Sequence, residues 1–164
     1  QPLFKGTGKY RRVRSVKNII DEINEQIGIL EKMNLPREWK NTVFFVDEVF
    51  GDINNDEWLD EFGSTYRNEV GLPFYMETLP MKNLVNSKIL DQLAYAGVKV
   101  INFGIQTGSD DIRNRIFRRP TKNKDIIHIA KEIAARGIDV KSDLIADNPY
   151  ETEETLKETI KLLF

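Results

Sequence analysis

The residues best placed to do chemistry are acids and amides that fall on or beside four short apolar runs. Asp47 follows the run at 42–46, Glu77 lies within 72–79, Gln106 ends 98–106, and Asp143 and Asp147 lie within and just beyond 138–146. Carboxylates and an amide at one end of a sheet can take up a polar ligand. They can also hold a metal for lyase or aldolase chemistry, although no metal-ligand spacing accompanies them here. Much other chemistry is closed to the chain, because its 164 residues include no Cys and one His, His128. Disulfides, thiolate nucleophiles, zinc fingers and cysteine-held iron clusters are excluded within it, and imidazole metal sites and Ser-His-Asp triads nearly so.

Helical and strand-like stretches alternate around those residues. Val16, Ile19, Ile20, Ile23, Ile27 and Leu30 recur at helical spacing behind Ser15, a suitable N-cap, which predicts a helix over 15–33. Leu35-Pro36-Arg37 breaks it, and the strand at 42–46 follows. Trp58, Leu59, Phe62, Tyr66 and Val70 mark a second helix, and Ile89, Leu90, Leu93 and Ala94 a third. Two more are predicted at 110–117 and 124–136, and a last one begins near Thr152, which serves as its N-cap. The junction Ala94-Tyr95-Ala96-Gly97-Val98-Lys99-Val100 resembles Ala134-Ala135-Arg136-Gly137-Ile138-Asp139-Val140, each Gly able to end a helix in the left-handed conformation before a buried strand. Strands every ~30 residues with helices between them predict βα units on a parallel sheet. Four strands are too few to close an eight-stranded barrel, so the fold class is α/β, either an arc of a barrel or an open doubly wound sheet.

Alternation within the strands separates two faces. Ile101, Phe103 and Ile105 share one side of the third strand, and Asn102, Gly104 and Gln106 the other. In the fourth, Val140, Leu144 and Ala146 oppose Asp139, Lys141, Asp143 and Asp147; the second strand groups Tyr75 with Glu77, and the first groups Phe45 with Asp47. One face is apolar, as packing against helices requires. The other is polar, and burying its groups unpaired would cost roughly 1 to 3 kcal/mol each. A polar ligand would satisfy them; so would a solvated edge, or a pairing of Lys141 with a carboxylate. Ligands of parallel α/β folds sit at the carboxyl ends of strands, where Asp47, Glu77, Gln106 and Asp147 fall.

Three segments, in order and spacing, resemble signatures of radical S-adenosylmethionine enzymes: Phe45-Val46-Asp47-Glu48-Val49-Phe50, Phe103-Gly104-Ile105-Gln106-Thr107-Gly108-Ser109, and Ile145-Ala146-Asp147-Asn148-Pro149-Tyr150-Glu151-Thr152. The likeness runs from Tyr10-Arg11-Arg12 to the final helix and is nearest to the branch whose core follows a cobalamin-binding domain. It implies a partial (β/α) barrel with about four of six parallel strands present. It implies S-adenosylmethionine and a 4Fe-4S cluster as cofactors of a longer parent, with cobalamin as a further candidate. The family's CxxxCxxC cluster loop would lie upstream of Gln1. The whole chain, 1–164, is then expected to be a truncated core, with 1–14 a basic linker and 15–164 the βα units, inactive by itself for want of thiolates.

The resemblance also assigns residues. Glu77 resembles the carboxylate that meets the amino group of S-adenosylmethionine, and Gln106 the position near its ribose and methionyl part. Arg118 resembles the Arg that pairs with the methionine carboxylate, where a planar fork suits two oxygens. Asp143 resembles the acid that accepts hydrogen bonds from ribose hydroxyls. Arg119 is a neighbour close enough to take the place of Arg118. One position departs: Asp147 stands where the family commonly has Gly in Gly-x-Pro-x-Glu-Thr, a point of close backbone approach to adenine. The alternatives are a non-catalytic α/β binding module and a carboxylate-metal barrel lyase or aldolase.

The remaining features read plainly. With 40% hydrophobic and 30% charged residues, and 24 bases against 26 acids for a net charge of −2, the chain suits one soluble domain with no overall pull toward nucleic acid or membrane. A cytoplasmic setting follows as the default. Lys5, Lys9, Arg11, Arg12 and Arg14 form a basic stretch that reads as a solvated linker, and Gly6-Thr7-Gly8-Lys9 lacks the preceding strand of a phosphate loop. The seven acids between Asp47 and Glu61 lack the central Gly of a calcium loop. His128, among Ile126, Ile127, Ile129 and Ala130, reads as a packed helix residue. A sheet edge left without its neighbour is expected to promote self-association. The small-molecule substrate is not written in these residues.

Overall fold

A computed structural model describes residues 13–33, 35, 41–47 and 50–164. The basic stretch up to Arg12, Gly6 to Lys9, Pro36 and Arg37, and Glu48 and Val49 lie outside the described residues. Four strands, β1 (Val43–Phe45), β2 (Phe74–Thr78), β3 (Val98–Gln106) and β4 (Asp139–Leu144), form one sheet in chain order, every pair parallel. Among the described residues six α-helices connect or flank them: α1 (Val16–Lys32), α2 (Asp56–Glu69), α3 (Ser87–Ala96), α4 (Asp110–Arg115), α5 (Asn123–Ala134) and α6 (Glu153–Leu163). The alternation leaves an arc of a barrel or a doubly wound sheet open; the sequential order β1-β2-β3-β4 is that of the partial-barrel arc the resemblance implies.

The local signals act where the sequence places them. The Ser15 side chain accepts from the Asn18 amide to start α1, and Gly97 ends α3 at φ 105°. Thr152 and Thr155 cap α6 reciprocally. Three strands are shorter than their apolar runs. β2 begins at Phe74 because Pro73 has no N–H to give the ladder, although its carbonyl still accepts from Val43. A short 3₁₀ turn, Lys82–Val85, stands before α3 and has no periodic signal.

The core lies between the sheet and its helices. Phe74, Met76, Ile101, Phe103 and Ile105 are buried on the helix side, against Leu59, Phe62, Tyr66, Leu90 and Leu93. Phe45, Phe50, Trp58, Phe62, Tyr66 and Phe74 form an aromatic cluster, with Phe62 stacked on Trp58 at 5.3 Å and edge-on to Phe50 at 5.2 Å. Phe45 thus faces the helices and Phe44, exposed, faces the ring of Tyr75 at 5.4 Å on the other side.

Two expectations are corrected here. His128 is exposed, because α5 buries Ile126, Ile129 and Ile133 and residue 128 projects away from that stripe. β4 is not covered as the inner strands are: Leu144 is 42% exposed, and only Val140 packs partly against the core. No helix among the described residues is long and apolar enough to cross a membrane.

Candidate functional site at the strand ends

Register brings the polar side chains together. Glu77 pairs with Asn102, Asn102 with Lys141, and Gly104 with Asp143, so these positions form neighbouring rows on the side of the sheet away from the core. At their carboxyl ends lies a cavity of about 440 Å³ lined by Glu77, Thr78, Leu79, Asn102, Gly104, Gln106, Phe117, Arg118, Arg119 and Asp143. That volume is in the range of small-ligand sites. All four residues singled out from the resemblance, Glu77, Gln106, Arg118 and Asp143, border this one space. Asp47 does not; it lines a separate groove of about 520 Å³ between α1 and β1. Asp147, beyond β4, is not among the lining residues either.

Each side chain has an identifiable support. The Tyr75 hydroxyl donates to Glu77 Oε1 at 3.2 Å, and Lys141 Nζ lies 6.0 Å from the centre of the Tyr75 ring. Burial, and then the charges of Glu77 and Asp143, push the Tyr75 hydroxyl above its ordinary value. Asn102 Nδ2 donates to Asp143 Oδ2 at 2.8 Å. Arg119 Nη1 donates to Gly104 O at 2.9 Å, whereas Arg118 is exposed and has no ion pair or side-chain hydrogen bond among the described residues. The two arginines therefore differ in freedom: Arg119 is held by the strand, and Arg118 is available to a ligand.

Asn102, on the cavity side, has a buried Oδ1 without a partner. Thr78 also borders the cavity, but the alternating burial of β2 and its pairing with Phe103 turn its side chain, whose Oγ1 is likewise buried and unbonded, to the helix side with Phe74 and Met76. Asn102 was legible as a member of the polar face; its missing bond was not.

The backbone is strained at the same end. Gln106, Arg118 and Asp147 have φ of 66°, 56° and 56°, the non-Gly residues with positive φ among those described. At Gln106 the ladder skips a residue, Gly104 facing Asp143 and Gln106 facing Leu144, and the Thr107 amide turns back to Ile105 O at 2.8 Å. This bulge and tight turn aim Gln106 at the cavity. Asp147 occupies a left-handed conformation that Gly adopts freely, and Asp is among the side chains that tolerate it.

Charges here are balanced: two carboxylates, Glu77 and Asp143, and two guanidinium groups, Arg118 and Arg119, surround an amide at Gln106. Such a set matches a zwitterion that also carries hydroxyls. Among the described residues no group of three His, Cys, Asp or Glu side chains is disposed to hold a metal, which gives the carboxylate-metal alternative no support.

Comparison with known proteins bears on which ligand this is. A family model described as the radical SAM superfamily matches residues 4–163. No curated protein sequence matches the chain. Among solved structures, the cobalamin-dependent S-adenosylmethionine radical enzyme OxsB with aqua-cobalamin bound superposes with a TM-score of 0.74 at 18% identity, covering 91% of this chain and 22% of that one. The apo, selenomethionine-labelled form of OxsB gives 0.74 at 18% identity, with 95% and 23% covered. OxsB with aqua-cobalamin and S-adenosylmethionine gives 0.72 at 18% identity, with 91% and 22% covered. The chain therefore spans 22–23% of the length of these neighbours, and at that identity the likeness is one of fold. Matched by the family model along almost its whole length, and folded as the same kind of parallel arc, the chain belongs to the radical SAM superfamily.

Proposed function

We propose that this chain is the S-adenosylmethionine-binding part of a radical SAM enzyme's catalytic core. The observation that carries the reading is the convergence of Glu77, Gln106, Asp143 and the Arg118-Arg119 pair on one cavity. A ligand presenting an amine, a carboxylate and a diol matches that set of side chains. Glu77, held by Tyr75, takes the amino group; Arg118 takes the carboxylate; Asp143, fixed by Asn102, accepts from the ribose hydroxyls; and Gln106 bridges ribose and methionyl parts.

The 4Fe-4S cluster that the family implies would supply the electron for reductive cleavage of S-adenosylmethionine held in this cavity. The residues of this chain do not fit that cluster, because none of them is Cys. Its thiolates belong to another part of the whole protein, and the chain's own contribution is to orient the ligand and keep water from it. The chain alone is accordingly inactive and binds S-adenosylmethionine weakly. Cobalamin enters this reading as a second cofactor of the whole protein, detected by its absorbance after reconstitution. A cytoplasmic setting, and self-association of the isolated chain through the outer edges of β1 or β4, belong to the same reading.

The test is anaerobic reconstitution of the whole protein with iron and sulfide, followed by dithionite, S-adenosylmethionine and quantification of 5′-deoxyadenosine. Its formation is expected, with Glu77→Gln and Asp143→Asn each weakening S-adenosylmethionine binding about tenfold, the scale of a charge-assisted hydrogen bond. A loaded cluster that yields no 5′-deoxyadenosine, or affinities untouched by both substitutions, overturns the assignment.

A further inference from the structure

Arg113 heads the fully buried side chains by volume, at 0% exposure, yet it sits on α4, a helix of only six residues, and no ligand role falls to it. Taking a guanidinium out of water is expensive unless every donor is matched. Here every nitrogen is used. Nε donates to Ile105 O and Thr107 O, both at 3.1 Å, and Nη2 to Thr107 O and, at 2.6 Å, to Asn123 Oδ1. Nη1 donates to Asp110 Oδ1 at 2.8 Å and to Thr121 O at 2.9 Å. Asp110, half exposed, is its ionic partner, and burial lowers the Arg113 pKa against the charge of Asp110.

The positions of the acceptors give the arrangement its meaning. Ile105 O and Thr107 O are the carbonyls on either side of Gln106, whose left-handed backbone is not self-supporting. Thr121 O lies just beyond the segment holding Phe117, Arg118 and Arg119. The Arg113 carbonyl also accepts from the Arg119 amide at 3.0 Å. Asn123, besides accepting from Arg113, donates through Nδ2 to Gly108 O at 2.7 Å. One side chain thus joins the two walls of the cavity, the strand end that aims Gln106 and the loop that carries both arginines. An apolar residue could fill the volume but could not fix two carbonyls on one wall relative to a third on the other.

We propose that Arg113 is a positioning residue for the adenosyl ligand, holding Gln106 and the Arg118-Arg119 loop in register across the cavity. The proposal rests on the function proposed above, and its test separates the two. In the whole protein, Arg113→Lys and Arg113→Gln are compared with Leu90→Ala, which removes buried volume from α3 away from the cavity. Hydrogen exchange, melting temperature and the Kd of S-adenosylmethionine are measured on each. The Arg113 variants are expected to raise Kd about tenfold, Lys less than Gln. They should also release the Thr107 and Ile145 amides, which bond across the Gln106 turn, while Leu90→Ala lowers the melting temperature at least as far and leaves Kd within twofold. Equal losses of affinity in the Arg113 and Leu90 variants, or exchange at Thr107 and Ile145 unaltered by Arg113→Gln, overturn the proposal. Where the unsubstituted protein shows no S-adenosylmethionine binding, the functional reading fails on its own, and the exchange comparison still decides whether Arg113 holds the two walls together.

Discussion

The two faces of the sheet are built by opposite rules. On the helix side, strands and helices are apolar and the rings of Phe45, Phe50, Phe62 and Phe74 interlock. On the other side, carboxylates, amides and guanidinium groups share one cavity, the buried Asn102 Oδ1 has no partner, and left-handed non-Gly residues stand at its rim at Gln106 and Arg118. The first arrangement maximises burial. The second keeps polar capacity and strain in reserve, which a fold tolerates where a ligand recovers the cost. Stability should therefore depend on the first face and affinity on the second.

The largest effect that would break this division is at Phe62, fully buried among five other aromatic rings. Phe62→Ala is expected to cost about 3 to 5 kcal/mol, a fall of about 10 °C or more in melting temperature for a chain of this size. Glu77→Gln, on the opposite face, should change stability by less than about 1 kcal/mol. Calorimetric melts of both variants check the pair; comparable losses would mean that the polar face is structural.

Two glycines four residues apart sharpen it next. A Cβ on Gly108 would run into the backbone of Glu158 and Thr159 in α6, whose Thr159 Oγ1 accepts from the Gly108 amide at 2.7 Å. A Cβ on Gly104 would meet the end of the Gln106 side chain and lie 3.3 Å from Arg119 Nη1. Backbone cannot yield as a flexible amide can. Gly108→Ala should cost about 1 to 3 kcal/mol and raise exchange throughout α6. Gly104→Ala should leave stability nearly unchanged but occupy the cavity and weaken S-adenosylmethionine binding in the whole protein.

This contrast also shows what the sequence could disclose. The parallel order, the helix caps at Ser15 and Thr152, and the grouping of Asn102, Gly104 and Gln106 opposite Ile101, Phe103 and Ile105 all follow from periodicities of two and 3.6, which single residues reveal. The convergence of Glu77 and Asp143 was legible through resemblance, because it depends on register between strands more than sixty residues apart. Arg113 was not legible: on a six-residue helix nothing distinguishes a buried guanidinium from the exposed Arg115, whose side chain pairs with Asp111 on the surface. Nor was the bulge at Gln106, which one amide turning back on Ile105 O creates. His128 was misplaced because its apolar neighbours include Ile127, itself 40% exposed.

A smaller effect tests whether strain is held for function. Gln106→Gly removes the left-handed penalty at φ 66°, offset in part by the greater freedom of Gly in the unfolded chain, for a net gain of about 1 kcal/mol. It also removes the amide from the cavity. Denaturant unfolding should show the gain while calorimetric titration of the whole protein with S-adenosylmethionine shows weaker binding. A loss of stability instead would mean that the Gln106 side chain supports the fold.

The smallest effect concerns an orphaned side-chain atom on the helix side. Tyr66 is fully buried, its hydroxyl has no partner, and burial holds its pKa far above the ordinary value of 10.0. The neutral phenol is the form the fold accepts. Below about pH 10 folded and unfolded chains both keep that proton and no pH dependence arises from it. Above it the unfolded chain loses the proton first, so stability falls as pH rises, by at most about 1.4 kcal/mol per unit until the folded value is reached. Tyr66→Phe deletes both the orphaned oxygen and this titration. The variant should equal or exceed the parent by about 1 kcal/mol at pH 7 and lose less stability between pH 10 and 11, as urea unfolding at fixed ionic strength measures. The Tyr75 hydroxyl, also raised, contributes with the same sign from the polar face, so some alkaline loss should persist in Tyr66→Phe and shrink again on adding Tyr75→Phe. If Tyr66→Phe is less stable at pH 7, the hydroxyl has a partner such as a buried water.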